Sequence, residues 1–437
     1  KYRERLVKTI REINPELAIN NLDYIRTESA TEIGVAQWQY SASSNARKTA
    51  GPLRERPADN ASVDFMGFRY RDTSVSAPQL VLRQWQNLAN AGSVSLYIMG
   101  HLGNHQDRTA LTASKPAFDF HKAHEKLYAG LTSAAKVLLV NRPVMARNDP
   151  ESYGWIRALT ESHIPFDEMK LAELKPELLH RWDVVILAEL KKLTQEQAEM
   201  FDTYAEQGGT VLSTGILPEL RCLGICEVRN SWKDRMSSVF ELCEAEKTLF
   251  PRSAEAHYIA PGAILNEVVF CEQTQTCLHL IPEHPFGPPE RCYYTEVSDI
   301  PGVGVTPYGK GKGVCLPWLA GSFYFNEGFD NTLHLIQDVL HQICGLPELA
   351  PGLHPSVELV LCKKTDRFLV QLINGSGVFA NSYFRPIPMQ KIELHLPGMA
   401  GKSVKALNGG TGVAQSAGDA LIITLDQLNE YEAIEIF

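Results

Sequence analysis

Short apolar runs alternate with amphipathic helical stretches through the first half of the chain, and this alternation restricts the fold more than any other feature. Leu17 to Asn21, Ile33 to Tyr40, Val63 to Tyr70 and Val94 to Leu102 read as strands. Leu80, Val81, Trp85 and Leu88 share one face of a helix over 77–91; Phe118, Phe120, His124, Leu127 and Tyr128 share one face of another over 116–130. An opening helix carries Leu6, Val7, Ile10 and Ile13 on one side and stops at Asn14-Pro15. Strands separated by helices are joined by right-handed crossovers and so form a parallel sheet. Residues 1–133 therefore read as four βα units, the C-terminal half of a (β/α)8 barrel. A half barrel has raw strand edges and an uncovered layer of inward side chains, so an upstream segment or a companion chain is expected to complete it. A small open doubly wound sheet is the alternative.

A second alternation begins at Ala135, with strands expected at 137–140, 184–187 and 210–213 and helices at 151–163 and 194–206. Gly208-Gly209 supplies the left-handed turn between the second helix and the next strand. Strand-like runs at 268–270, 277–281 and 314–318 and a helix at 331–343 complete an α/β domain over 134–350. Gly345 to Gly352, rich in proline and glycine, reads as a linker. Short alternating runs broken by Asn374-Gly375 and Asn408-Gly409-Gly410 then read as a small antiparallel β sandwich over 351–437.

Forty-two Lys and Arg against 51 Asp and Glu give a charge of -9 with no basic stripe, which argues against a nucleic-acid partner. The longest apolar stretches, 93–102 and 183–190, are about half of the roughly 20 residues that a membrane helix needs, so no membrane partner is expected. Nine cysteines, an odd number without a CxxC pair, suit buried thiols better than a disulfide framework and favour the cytoplasm.

In a parallel barrel the reactive groups stand at the carboxyl ends of the strands. Asp23, Arg26, Glu28 and Glu32 follow the first expected strand; Trp38 and Tyr40 end the second; Arg69, Arg71 and Asp72 follow the third; His101, Asn104, His105, Asp107 and Arg108 follow the fourth. Aromatic faces, arginines and paired carboxyls suit a sugar site, because rings stack on pyranose C–H surfaces while carboxyls move the proton and attack the anomeric carbon. Glu28 and Glu32 are the catalytic candidates, and Trp38, Tyr40, Arg69, Asp72, His101, Asn104 and Asp107 the substrate-binding ones. His101, His105 and Asp107 match no strong metal-ligand spacing, and no metal or other cofactor is expected. Gly309-Lys-Gly-Lys-Gly313 lacks the ending of a phosphate loop and reads as a hairpin turn. Cys222 and Cys226, with Cys243 downstream, read as isolated buried thiols.

Four segments carry a resemblance. Asp183-Val-Val-Ile-Leu-Ala with Leu193-Thr-Gln-Glu-Gln-Ala, then Tyr204-Ala-Glu-Gln-Gly-Gly-Thr-Val-Leu-Ser-Thr-Gly215, then Tyr308-Gly-Lys-Gly-Lys-Gly-Val-Cys-Leu-Pro-Trp318, resemble the trimerisation domain of family 42 β-galactosidases. That domain has a glutamine-amidotransferase-like, flavodoxin-like α/β fold. Residues 15–45 and 93–108 resemble barrel ends in glycoside hydrolases that join such a domain to an α-L-fucosidase-like or galactosidase-like barrel. The resemblance implies a carbohydrate substrate, hydrolysis of glycosidic bonds and a homotrimer. Those enzymes keep a catalytic residue on the fourth barrel strand, which has no counterpart here, and Val63-Asp-Phe-Met-Gly-Phe-Arg-Tyr70 lacks the glutamate that family 42 carries near its seventh strand. A non-catalytic carbohydrate-binding or oligomerisation module is the competing expectation. An amidotransferase ranks last, because Val211-Leu-Ser-Thr-Gly215 offers no cysteine at a strand-to-helix elbow.

Overall fold

The computed structural model describes residues 2–20, 22–34, 36–54, 57–141, 149–235, 237–285, 287–294 and 296–437. They form two compact units, Lys1–Ala134 with Ala350–Phe437, and Ala135–Leu349.

The first unit opens with α1 (Tyr2–Ile13), which buries none of its residues. Then come β1 (Ile25–Ser29), α2 (Ser41–Ala50), β2 (Ala58–Val63), α3 (Ala77–Ala89), β3 (Leu96–Tyr97), α4 (Thr109–Tyr128) and β4 (Thr132–Ser133). The strands β1, β2 and β3 pair in that order, all parallel, with Ile25 opposite Ala58 and Val63 opposite Tyr97. One face of this sheet is closed by a buried polar network: Asn60 Nδ2 donates to Ser29 Oγ at 2.9 Å and to Asn87 Oδ1 of α3 at 2.6 Å, and Asn87 Nδ2 donates to Ser62 Oγ at 3.1 Å. The other face carries Arg26, ion-paired with Asp59 at 3.4 Å and 5.9 Å from the Tyr97 ring centroid.

The strands are shorter and differently placed than the apolar pattern suggests. Residues 17–20 are not a strand, because the Asp23 carboxylate accepts from Ile19 N at 2.6 Å and from Arg11, fixing a turn. Residues 33–40 bend instead of extending, with Gly34 at φ 80 and Ile33 exposed; β1 lies between these two expected strands, and Asn21 and Val35 fall outside the described residues. The third expected strand ends at Val63, since Gly67 turns at φ 71 into the short helical turn Phe68–Tyr70. Three parallel strands therefore stand where four were expected. In contrast, α4 starts earlier than expected and runs through Pro116, its first turn held by Asp107 Oδ1 accepting from Thr109 N at 3.0 Å.

The second unit contains β5 (Val137–Asn141), α5 (Pro150–Glu161), β6 (Phe166–Lys170), β7 (Val184–Ala188), α6 (Gln195–Glu206), β8 (Thr210–Thr214), β9 (Ile225–Lys233), β10 (Val239–Glu241), β11 (Tyr258–Ile259), β12 (Ile264–Phe270), β13 (Gln275–Ile281), β14 (Pro301–Tyr308), β15 (Gly311–Leu316), α7 (Ala320–Glu327) and α8 (Asp330–Asp338). Its main sheet has nine strands in the order β11-β10-β13-β14-β15-β8-β7-β5-β6. From β15 to β6 the neighbours are parallel, and β5, β7 and β8 are buried along their whole length, which accounts for their continuous apolar runs. The glycine-lysine run is the expected hairpin: Tyr308 pairs with Gly311 across Gly309 and Lys310, and a Cβ at Gly311 would lie 2.1 Å from the Gly209 carbonyl oxygen. Glu151, fully buried in α5, accepts from Ser322 N at 2.6 Å, Gly321 N at 3.2 Å and Trp155 Nε1 at 2.9 Å, which ties α5 to the start of α7.

Isolated thiols do not describe every cysteine. Cys226 and Cys271 form a disulfide with a Cα separation of 5.4 Å, because β9 and β12 pair antiparallel with Ile225 opposite Phe270 and bring them side by side. Cys222, Cys277, Cys315 and Cys362 are free and buried, and burial pushes the Cys315 thiol up to about 12, which keeps it from acting as a nucleophile.

The chain then returns to the first unit with β16 (Val357–Lys364), β17 (Arg367–Asn374), β18 (Val378–Phe379), β19 (Ser382–Tyr383), β20 (Met389–Leu396), β21 (Val404–Ala406), β22 (Gly412–Ala417), β23 (Ala420–Leu428) and β24 (Tyr431–Ile436). A five-stranded sheet β21-β24-β17-β16-β4 and a three-stranded sheet β20-β23-β22 result, antiparallel throughout. The segments 1–133 and 351–437, separate in the sequence reading, share one core. Trp85 of α3 stacks on Tyr431 of β24 with centroids 4.4 Å apart, and buried Glu358 of β16 accepts from Ser43 Oγ of α2 at 2.5 Å and from Gln86 of α3.

Candidate active site

Polar groups gather at the carboxyl ends of β2 and β3. Asp64 directly follows β2; its N–H donates to the Tyr97 carbonyl at 3.0 Å and its own carbonyl accepts from Val75 N, so the residue is fixed at the backbone. Its side chain is 1 % exposed; among the described residues neither carboxyl oxygen has a hydrogen-bond partner, and His105 Nε2, 3.7 Å away, has no hydrogen-bond partner either. Burial pushes this carboxyl up to about 6; His105 opposes the shift and Asp107 adds to it. Asp107 behaves in the opposite way. Its Oδ2 accepts from Ser74 N and its Oδ1 from Thr109 N, each at 3.0 Å, and these bonds, with one to the Thr109 hydroxyl, hold it down to about 2. Two neighbouring carboxyls therefore hold different protonation states near pH 5, the arrangement by which one site offers both a proton and a fixed negative charge.

Of the residues singled out by sequence, the structure brings His105 and Asp107 into this cluster. Trp38 and Tyr40 meet each other edge to face at 6.1 Å, with Tyr40 buried at the start of α2. Glu28 lies within β1, opposite Ala61, exposed and on the alternating side shared with Arg26; Glu32 is exposed beyond the strand, and its carbonyl accepts from Gln37 Nε2 at 3.2 Å. Arg69, Arg71, Asp72, His101, Asn104 and Arg108 are exposed, and Asp23 is taken up by Arg11; the described side-chain contacts bring none of them to Asp64. Among the described residues no three His, Cys, Asp or Glu side chains gather in a way that could hold a metal ion. Asp64 itself escapes a reading that extends the strand to Tyr70. Its signal is a carboxylate inside an apolar run, which strands disfavour, followed three residues later by glycine.

The Asp64 shift has a consequence for stability. The carboxyl binds its proton more tightly folded than unfolded, so stability is highest below the unfolded value of 3.8 and declines as pH rises through about 6. The expected decline is on the order of 2–3 kcal/mol, measured by denaturant unfolding between pH 4 and 7, and Asp64→Asn removes it.

No protein-family model matches the chain, and no curated protein matches it in sequence. Solved structures match its fold. α-L-Fucosidase isoenzyme 2 from Paenibacillus thiaminolyticus aligns with a TM-score of 0.77 and 17 % identity over 100 % of this chain and 70 % of its own. A β-galactosidase from Bacillus circulans sp. alkalophilus gives 0.63 and 13 % over 96 % and 65 %, and a catalytic mutant of a GH42 β-galactosidase from G. stearothermophilus gives 0.63 and 13 % over 100 % and 66 %. This chain spans about two thirds of the length of these structures. Its fold is glycoside-hydrolase-like, and no helix among the described residues is long and apolar enough to cross a membrane.

Proposed function

We propose that the protein is a glycoside hydrolase of the β-galactosidase or α-L-fucosidase type, with its site at the carboxyl ends of β1, β2 and β3. The observation that carries this reading is the pair of neighbouring carboxyls with opposite titration, Asp64 raised to about 6 and Asp107 lowered to about 2, in a fold shared with glycosidases. Asp64 is the proton-donating acid, its proton affinity raised by burial and moderated by His105, and Asp107 supplies negative charge. Glu28 and Glu32 are the candidates for attack on the anomeric carbon or activation of water, and Trp38 offers the aromatic face to the sugar. Arg69, Asp72, His101 and Asn104 border the substrate.

The three parallel strands belong, in this reading, to a (β/α)8 barrel whose other strands come from polypeptide beyond these 437 residues or from a companion chain. Among the described residues no strand pairs with the outer edge of β1, and this edge and the exposed polar face bearing Arg26 and Glu28 support it. Residues 134–350 form the amidotransferase-like trimerisation domain of the assembly, and 351–437 a terminal β segment built into the same core as residues 1–133. A panel of nitrophenyl galactosides and fucosides, with the complete protein, tests the activity. Glu28→Gln or Glu32→Gln is expected to lower turnover by about 10²-fold or more at whichever position acts. Full activity in both variants removes these two residues from the mechanism, and no turnover on any sugar by folded wild-type protein rejects the enzyme reading.

A further inference from the structure

The loop that carries Trp38 is held by a segment more than three hundred residues away in sequence. Asn381 Oδ1 accepts from Gln37 N at 2.8 Å. Asn381 stands in a two-residue hairpin loop, where Val378 pairs with Tyr383 and Phe379 with Ser382. The other loop residue, Ala380, has φ 51, a left-handed conformation that side-chain-bearing residues adopt under strain. The hairpin is closed at its base by Phe384 N donating to Gly377 O at 2.8 Å, and a Cβ on Gly377 would collide with the Phe384 carbonyl at 2.1 Å. Its conformation is therefore fixed at both ends rather than left as a free surface loop.

The same hairpin reaches the strand ends through α3. The Tyr383 side chain lies beside Gln79 and Arg83. Gln79 Nε2 donates to Thr31 Oγ1 at 3.3 Å, and Arg83, 5 % exposed, donates to Val63 O, Ala30 O and Thr31 Oγ1 at 3.2, 3.2 and 3.0 Å. Val63 immediately precedes Asp64, and Ala30 and Thr31 immediately follow β1. Burying a guanidinium is costly unless its donors are satisfied, and three oxygens satisfy this one. Here it clamps together the two strand ends on which the candidate site is built. In the same hairpin, Phe379 is 76 % exposed, an unusual setting for a large apolar side chain on an ordered hairpin.

We propose that the hairpin Val378–Tyr383 is the substrate-selecting element of this site: Asn381 fixes the Trp38 loop, and Phe379 presents its ring to the C–H face of a second sugar, the one on the leaving side of the cleaved bond. The proposal rests on the glycosidase reading above and names its substrate class, oligosaccharides of at least two units. Disaccharide-type substrates reach both rings, whereas glycosyl fluorides present only one sugar.

The test compares lactose and 2′-fucosyllactose with galactosyl and fucosyl fluoride, using the complete protein and the variants Phe379→Ala, Phe379→Trp and Asn381→Ala. The expected result is a fall of tenfold or more in the kcat/KM ratio of oligosaccharide to fluoride for Phe379→Ala, mostly through KM, with Phe379→Trp restoring it. Asn381→Ala is expected to shift the ratio in the same direction. An unchanged ratio in Phe379→Ala, with retained melting temperature, overturns the proposal. If the wild-type protein cleaves none of the four, the glycosidase reading fails, and calorimetric titration with lactose and 2′-fucosyllactose then decides the hairpin separately. Binding weakened tenfold or more by Phe379→Ala supports it; no binding, or equal binding, overturns it.

Discussion

Asp64→Asn is expected to lower glycoside turnover by about 10²- to 10⁴-fold while leaving the fold intact, the range lost when a positioned proton donor is removed. The substitution keeps shape and removes only the proton chemistry. Among the described residues neither Asp64 carboxyl oxygen has a hydrogen-bond partner, so asparagine loses only the charge interaction with His105, 3.7 Å away. Because the carboxyl titrates at about 6, the wild-type rate should be high while the group is protonated and fall as pH rises through that value. The variant should show a flat residual rate across the same interval. His105→Gln separates the pair further: His105 opposes the upward shift of the Asp64 carboxyl, so its removal should move the falling limb of the profile to higher pH. A decrease smaller than threefold in Asp64→Asn, with the wild-type limb preserved, would reject Asp64 as the acid. A pH-rate profile of kcat/KM in the two variants provides the measurement.

The sequence makes this region legible in kind but not in register. The rule that reactive groups stand at strand ends picks out His105 and Asp107, which the structure places beside Asp64. Asp64 is not, because an apolar run of Val63, Phe65 and Met66 hides the point where β2 stops, and strand ends depend on backbone turns such as Gly67 that periodicity does not weigh. The same limitation moves β1. Arg26, Thr27, Glu28 and Ser29 look like a loop, yet they form a strand because parallel pairing with β2 and the Asn60 contact to Ser29 outweigh local preference. In the second unit the strands are buried on both faces, apolarity alone marks them, and the expected positions of β5, β7 and β8 fall on the observed ones. The Cys226–Cys271 bond had no local signal, since its partners meet only through the β9–β12 register.

Shared burial between distant segments is equally invisible to local pattern, and Trp85→Ala reads it directly. Trp85 is 2 % exposed, stacked on Tyr431 at an interplanar angle of 4° and edge-on to Phe120 at 5.6 Å. Truncating a buried tryptophan removes its transfer free energy and leaves a cavity, so a loss of about 3–5 kcal/mol is expected. Tyr431→Phe should have a smaller effect, about 1–2 kcal/mol, because it keeps the stack and removes only the hydroxyl, which lies 2.6 Å from the Tyr128 hydroxyl and donates to Gln371 Oε1 at 2.7 Å. The two residues touch, so their effects should not add; the double variant is expected to fall short of the sum. The location of the damage matters more than its size. If residues 351–437 had a core of their own, amide protection in β17 and β24 would survive the loss of Trp85 from α3. A core built jointly from α3, α4 and the five-stranded sheet instead requires protection in α3, β17 and β24 to decline together, because the cavity lies on the contact between them. Hydrogen exchange on Trp85→Ala, followed by peptide mass, distinguishes the two outcomes, and retained protection in β17 and β24 alone would refute the shared core.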